Sequence, residues 1–250
     1  MKLYHELAEF YFEIENKSRN IQADVSFIKS YLPSGGNGSV LDIGCGSGEH
    51  INEFAKMGYA CTGLDNSSDM IMTAVSRCIS GIEFIEADMK DFDYYEKYDL
   101  IYSIFGSMNY LLTNEEIDSV FWNSWRALKN GGIGIFEVWN AFPLLEIREK
   151  DVARVSTTIQ NGTKIIRERG FKLKTISPTI VNVKYNYHIT DRDGNTDLLE
   201  DTHIMRAFKK EEITKIINDN GFSIKEIFSS NLKDPYHGNS NKLLIVVKKN

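Results

Sequence analysis

Apolar positions fall at helical spacing over residues 3–32, with Leu3, Leu7, Phe10 and Ile14 in one series and Val25, Ile28 and Leu32 in another. This predicts a helical N-terminal segment. The run Pro33-Ser34-Gly35-Gly36-Asn37-Gly38 breaks it. Five apolar runs of strand length follow, at residues 39–43, 59–65, 82–88, 98–105 and 132–139. The stretches between them carry helix signals: Gly58 closes EHINEFAKM, Ser67 is placed to cap DMIMTAVSRC, and Thr113-Asn114-Glu115-Glu116 has the form of a capping box before IDSVFWNSWRAL. Strands alternating with helices in this way predict parallel strands joined by crossover helices.

After residue 140 the period shortens to two. VARVSTTI and TKIIRERG flank Asn161-Gly162, and TIVNVKYNYHIT and DLLEDTHIMRAF flank Asp193-Gly194-Asn195. Both breaks tolerate the positive φ of hairpin turns, so residues 141–207 are expected to form an antiparallel insertion. A helix over 209–220, stopped by Gly221, and two strands, FSIKEIFS and KLLIVVKK, complete the chain.

The composition, 42% hydrophobic and 26% charged over 250 residues, suits one globular domain carrying a sizeable insertion. With 29 Lys and Arg against 35 Asp and Glu, the net charge of −6 disfavours a general grip on nucleic-acid phosphates. No run approaches the roughly 20 apolar residues that span a bilayer, and the acidic N-terminal stretch is unlike a secretory signal, so a cytoplasmic protein without a membrane partner is expected. Cys45, Cys61 and Cys78 lack the spacing of a structural zinc site and read as buried thiols; the five histidines are scattered, and no metal site is expected.

The segment Val40-Leu41-Asp42-Ile43-Gly44-Cys45-Gly46-Ser47-Gly48 leads an apolar strand into a glycine turn and then a helix. Glycines let a ligand lie against the backbone, and the helix N-terminus offers unpaired N–H groups. A dinucleotide fingerprint needs a third glycine at position 49, where Glu49 would repel a diphosphate. The expected ligand is a nucleoside without a pyrophosphate. Asp65, ending the second strand, can accept both hydroxyl protons of a ribose, or cap the following helix. Asp88, ending the third, can accept from an adenine amino group with Met89 and Phe92 as ring contacts, or be a solvated loop residue.

Together, Asp42 to Gly48, Asp65 and Ala87-Asp88-Met89 resemble the first three motifs of class I S-adenosylmethionine (SAM) dependent methyltransferases. The resemblance implies an α/β fold, a doubly wound, mostly parallel, seven-stranded Rossmann-like sheet built from residues 35–140 and 208–250. Residues 1–34 would be an N-terminal helical lid, and 141–207 an antiparallel insertion after strand five that covers the acceptor side. It implies SAM as cofactor, with Asp42, Gly44, Cys45 and Gly46 at its methionine portion, Asp65 at the ribose, and Asp88 and Met89 at the adenine. Asn66 and Ile104 would touch the same ligand, with Tyr4 and Tyr11 closing over it.

A closer resemblance is to the N-methyltransferases of nucleotide-linked amino sugars. It lies in Ile104-Phe105-Gly106-Ser107-Met108-Asn109-Tyr110-Leu111, in Phe136-Glu137-Val138-Trp139 with Phe142-Pro143 after it, and in the β-rich insertion. Asn140 departs from the pattern, standing where a second aromatic is expected. The resemblance implies methyl transfer by in-line displacement to an amine nitrogen of a small molecule, and it admits a homodimer.

Tyr110, Trp139, Tyr185 and Tyr187 are expected around the acceptor, near the carboxyl edge of the sheet. The last two share a strand face with Val183 and Ile189, which packing against the main domain would equally require. Glu137, His188 and His203 are candidates to take the amine proton, each also readable as an ordinary hydrogen-bonded residue. Arg148, Arg154, Arg167, Arg169 and Arg206 can hold an acceptor diphosphate or remain solvated. The rival readings are methylation of another small molecule, a methyltransferase acting on tRNA or protein, a SAM-binding module without catalysis, and a nicotinamide oxidoreductase. The net charge opposes an RNA substrate. The chain also has Ser103-Ile104-Phe105-Gly106 where many macromolecular N-methyltransferases carry Asn- or Asp-Pro-Pro-aromatic, and Glu49 opposes the oxidoreductase.

Overall fold

The computed structural model describes residues 1–15, 19–33 and 37–250. Residues 16–18 of the predicted N-terminal helix and 34–36 of the predicted break lie outside the described residues. In chain order the helices are α1 (Tyr11–Glu15), α2 (Ile21–Lys29), α3 (Glu49–Lys56), α4 (Ser68–Arg77), α5 (Asn114–Ala127), α6 (Ala141–Ile147) and α7 (Lys210–Asp219). The strands are β1 (Ser39–Ile43), β2 (Ala60–Asp65), β3 (Glu83–Glu86), β4 (Tyr98–Ser103), β5 (Leu128–Trp139), β6 (Glu149–Gln160), β7 (Thr163–Ile176), β8 (Thr179–Thr190), β9 (Thr196–Ala207), β10 (Phe222–Phe228) and β11 (Lys242–Lys249).

Seven strands form one sheet in the order β10-β11-β5-β4-β1-β2-β3. The β1, β2, β3, β4 and β5 pairings are parallel, while β11 runs antiparallel to β5 and to β10. The strands of such a sheet are covered on both faces, which is why β1 is buried from Val40 to Ile43 and β4 from Leu100 to Ser103. Chain direction reverses its walk between β1 and β4, and this switch point places a crevice beyond their carboxyl ends. The helix signals are realised: Ser67 Oγ accepts from Met70 N at 3.3 Å, and Thr113 and Glu116 form a reciprocal capping box.

The insertion is a four-stranded antiparallel sheet, β6-β7-β8-β9, with its turns at Asn161-Gly162 and Asp191–Asn195. Its first residues differ from expectation. Residues 141–147 are helical because the Asn140 side chain caps α6 by accepting from Phe142 N at 3.2 Å. The insertion leaves and returns at one place, where Phe208 N donates to Trp139 O at 2.8 Å and Ala141 N to Phe208 O at 3.0 Å.

The continuous N-terminal helix does not form. Residues Lys2–Tyr4 and Ala8–Phe10 are 3₁₀ turns ahead of the short α1. Backbone groups that a helix would use are taken by tertiary partners: Leu3 N donates to Asp201 Oδ2 at 3.2 Å, and Tyr4 O accepts from Ser67 Oγ at 2.6 Å. Of the apolar series, Leu3, Leu7 and Ile14 are buried and Phe10 partly so; with Tyr11 they share a cluster with Val181, Val183, Tyr185 and Tyr187 of β8.

Arg206 ties the end of the insertion to the starts of α5 and α7. Its side chain is 2% exposed and donates to Leu112 O, Asn114 Oδ1 and Glu212 Oε1 at 3.0, 2.6 and 2.5 Å. Removing one partner of such a network strands the others, so Arg206→Ala should lower unfolding free energy by about 3 kcal/mol, read from chemical denaturation.

A candidate cofactor cleft and acceptor cavity

The glycine turn after β1 is built for close approach. Gly44 has φ +76, and a Cβ there would stand 2.4 Å from Ser107 Oγ. A Cβ on Gly46 would meet the Tyr11 ring at 3.4 Å. Tyr11 therefore roofs the turn, and the Arg19 guanidinium, its carbon 4.9 Å from the Tyr11 ring centroid and 4.2 Å from that of Phe105, closes one side while donating to the Tyr11 hydroxyl. Phe105 holds φ +60 ahead of Gly106 at φ +83, a left-handed pair that is costly for a bulky residue and typical of ligand sites. The resulting narrow cleft, about 90 Å³, is bounded by Tyr11, Gly44, Asp65, Met89, Phe105 and Tyr110, with Asn66 at its exposed rim.

Two carboxylates flank it. Asp65 accepts from Gly46 N at 2.9 Å and from Ser67 N at 3.0 Å; it fixes the turn, while Ser67 caps α4. Burial raises its pKa, opposed by those N–H groups. Asp42 lies beneath the turn, 3% exposed, accepting from Tyr102 Oη at 2.8 Å across the β1–β4 pair. Burial pushes its carboxyl up to about 8, against the Tyr102 hydrogen bond.

These residues fit SAM. The turn is a cradle that a Cβ would fill, Asp65 presents a carboxylate beside it, and Arg19 offers a positive charge to the carboxylate of a methionine portion, with the Asp42 carboxyl beneath the turn. Arg19 and Phe105 were not singled out by their sequence: Arg19 sits in no motif, although the bulky residue before Gly106 could have drawn notice. Four expected contacts do not line the cleft, the first being Asp42 beneath the turn. Asp88 is exposed and turned onto its own loop, accepting from Lys90 N at 2.9 Å with Lys90 Nζ 3.4 Å away. Cys45 and Ile104 point into the packed interior, and only the backbone of Cys45 belongs to the turn, through its N–H to Leu64 O at 2.9 Å.

A second, larger cavity of about 530 Å³ lies between the end of β5, α6 and the strands β6 to β8. Trp139, Leu144 and Phe171 give it apolar walls, while Arg154, Arg169 and Lys242 bring positive charge. It adjoins the cleft: Lys242 Nζ stands 6.0 Å from the Phe105 ring centroid, and a Cβ on Gly106 would lie 3.4 Å from Trp139 Nε1. Asn140, in place of the expected aromatic, donates to Gly238 O and Ser240 O at 2.7 Å and pins the loop beside this cavity.

The other expected acceptor residues are distributed otherwise. Tyr185 and Tyr187 line neither space; they stack at 6.0 Å within the N-terminal packing, so their shared face serves sheet packing. Of the five arginines, Arg154 and Arg169 border the cavity. Arg167 is buried against Glu15, Arg206 is in the core network, and Arg148 is exposed at the end of α6. Glu137 lines the cavity but is ion-paired with Lys242 at 2.6 Å. His188 lies on the outer face of β8, 3.3 Å from Glu168, and is removed from both spaces. His203, 1% exposed, meets Tyr110 Oη at 2.6 Å and Asp201 at 2.9 Å.

A doubly wound sheet with a glycine turn and a carboxylate at its switch point defines a nucleoside-binding α/β enzyme. The family described as "Methyltransferase domain" matches residues 40–132. The chain is 25% identical over 214 residues to the putative methyltransferase YqeM of Bacillus subtilis, covering 80% of this chain and 79% of that one. It is 31% identical over 134 residues to the dTDP-3-amino-3,4,6-trideoxy-alpha-D-glucopyranose N,N-dimethyltransferase of Streptomyces venezuelae, covering 50% and 56%. A crystal structure of a SAM-dependent methyltransferase from Clostridium acetobutylicum shares the fold, with TM-score 0.80, 17% identity and 98% of each chain covered. The chain is a class I SAM-dependent methyltransferase, similar to the amino-sugar N-methyltransferases. Among the described residues, no helix is long and apolar enough to cross a membrane.

Two predictions follow from the carboxylates. If Asp65 holds the ribose hydroxyls, Asp65→Ala should weaken SAM binding by about 1–3 kcal/mol in calorimetry; unchanged affinity would overturn that role. The folded-state pKa of Asp42 exceeds the roughly 3.9 of an unfolded aspartate, so the native state holds this proton more tightly. That stabilisation is full below about pH 4 and is lost as pH rises through about 8. In the absence of SAM, Asp42→Asn should flatten the decline in melting temperature across that window.

Proposed function

We propose that this enzyme methylates the amine nitrogen of a nucleotide-linked amino sugar. The observation that carries the reading is the cavity of about 530 Å³ beside the cleft, with an aromatic wall at Trp139 and guanidinium groups at Arg154 and Arg169. A sugar can stack on the aromatic wall while the arginines meet phosphate oxygens, a pairing their geometry favours. The Streptomyces venezuelae relative, named for N,N-dimethylation of a dTDP-linked amino sugar, supports the same acceptor class. Residues 1–15 and 141–207 act as the lids of the two spaces in this reading.

When bound, SAM supplies the methyl group: the N–C bond forms as the S–C bond breaks, and sulfur keeps the electron pair in S-adenosylhomocysteine. The chain's contribution is largely placement and exclusion of water. Tyr11 and Arg19 cover the glycine turn, Phe105 borders the cleft and Trp139 the larger cavity.

The test is methyl transfer to nucleotide-linked amino sugars, free amines, hydroxylated metabolites, tRNA and protein. Turnover of the first group is expected; turnover confined to oxygen nucleophiles or to a macromolecule would overturn the reading. Arg154→Ala and Arg169→Ala should each raise KM for the nucleotide-linked acceptor about tenfold, the loss of one charge-assisted contact, with SAM affinity unchanged.

A further inference from the structure

Five groups from three parts of the chain form one hydrogen-bonded line beside the cleft. Leu3 N and His203 Nε2 meet the Asp201 carboxylate at 3.2 and 2.9 Å, His203 Nδ1 meets Tyr110 Oη at 2.6 Å, and Tyr110 Oη meets Tyr4 Oη at 2.9 Å. The directions of these bonds are fixed by chemistry. An ionised carboxylate only accepts, so Nε2 carries the hydrogen and Nδ1 of the neutral ring presents a lone pair. Tyr110 therefore donates to Nδ1, and Tyr4 donates to Tyr110. The Tyr110 oxygen keeps one lone pair, and Tyr110 lines the cleft.

We propose that Tyr110, His203 and Asp201 form a proton path that takes the proton of the acceptor amine as it is methylated. This rests on the reading of an amine acceptor. The methylated nitrogen carries a positive charge and one proton too many. That proton passes to the Tyr110 oxygen while Tyr110's own proton passes to His203 Nδ1. The amine leaves neutral and His203 becomes an imidazolium paired with Asp201, which gives its proton to buffer after product release. Tyr110 is the catalytic residue of this path; His203 and Asp201 act through it. The other titratable groups around the ring are Tyr4, Tyr185, Glu15 and the chain's terminal amino group. Burial lowers the imidazole pKa against the pull of Asp201, which keeps the ring neutral and able to receive.

The experiment compares wild type with His203→Gln, whose amide can still accept from Tyr110 but cannot take its proton, and with Tyr110→Phe, which preserves packing. With a nucleotide-linked amino sugar, both should lose about 100-fold in kcat near pH 7, with KM for SAM within about twofold. The deficit should shrink as pH rises and solution base replaces the path. A kcat within about threefold of wild type, or a loss equal at every pH, would overturn the path while leaving the acceptor reading intact. Wild type that turns over no amine would overturn both. Independently of turnover, ¹⁵N spectra of His203 should show Nε2 protonated and Nδ1 bare at neutral pH, and the opposite tautomer would sink the proposal.

Discussion

The backbone bonds joining Trp139 and Ala141 to Phe208 hold together everything above the carboxyl edge of the main sheet. Because residues 141–207 leave and re-enter the fold at that point, their four strands must double back on themselves. An antiparallel sheet so suspended has an apolar face to cover, and the face of β8 carrying Val181, Val183, Tyr185 and Tyr187 shares its cluster with Met70 of α4 and with the N-terminal residues. The first fifteen residues supply the cover. Burying side chains such as Leu3, Leu7 and Ile14 contributes roughly 1.5–3 kcal/mol each, enough to override the helix their spacing favours.

That packing also sets the chemistry of the cleft. The N-terminal segment is gripped by the insertion on one side, and its other side lies over the glycine turn, where Tyr11 meets Gly46. The roof of the cleft is thus anchored in the sheet that walls the larger cavity. Asp42 sits below in a site dry enough to favour its protonated form, and Arg19 crosses above, so a neutral carboxyl lies under the turn and a fixed positive charge over it.

What was legible in the sequence was local. The glycine turn, the Ser67 and Thr113 caps and both hairpin turns depend on residues a few positions apart, and each formed as read. What was not legible depends on partners far along the chain. Tyr110 and His203 are 93 positions apart and meet at 2.6 Å, which no spacing rule anticipates. The same holds for the arginines: Arg167 and Arg169 are two residues apart on β7 and share a strand face by the pleat, yet Arg167 is taken by Glu15 from the N-terminal segment while Arg169 borders the cavity. Asp88 illustrates the converse, a motif position whose side chain is satisfied by its own loop.

The large cavity takes its charged side chains from β5, β6, β7 and β11, whereas the glycine turn and Asp65 come from one compact stretch. A substitution at Arg154 or Phe171 changes the shape or charge offered to an acceptor without touching a residue of the turn. Acceptor choice can therefore drift quickly within a lineage while the methyl-donor machinery stays still. Proteins sharing the motif stretch, even at appreciable identity, form a guild united by their methyl source, and their diets can differ from one member to the next.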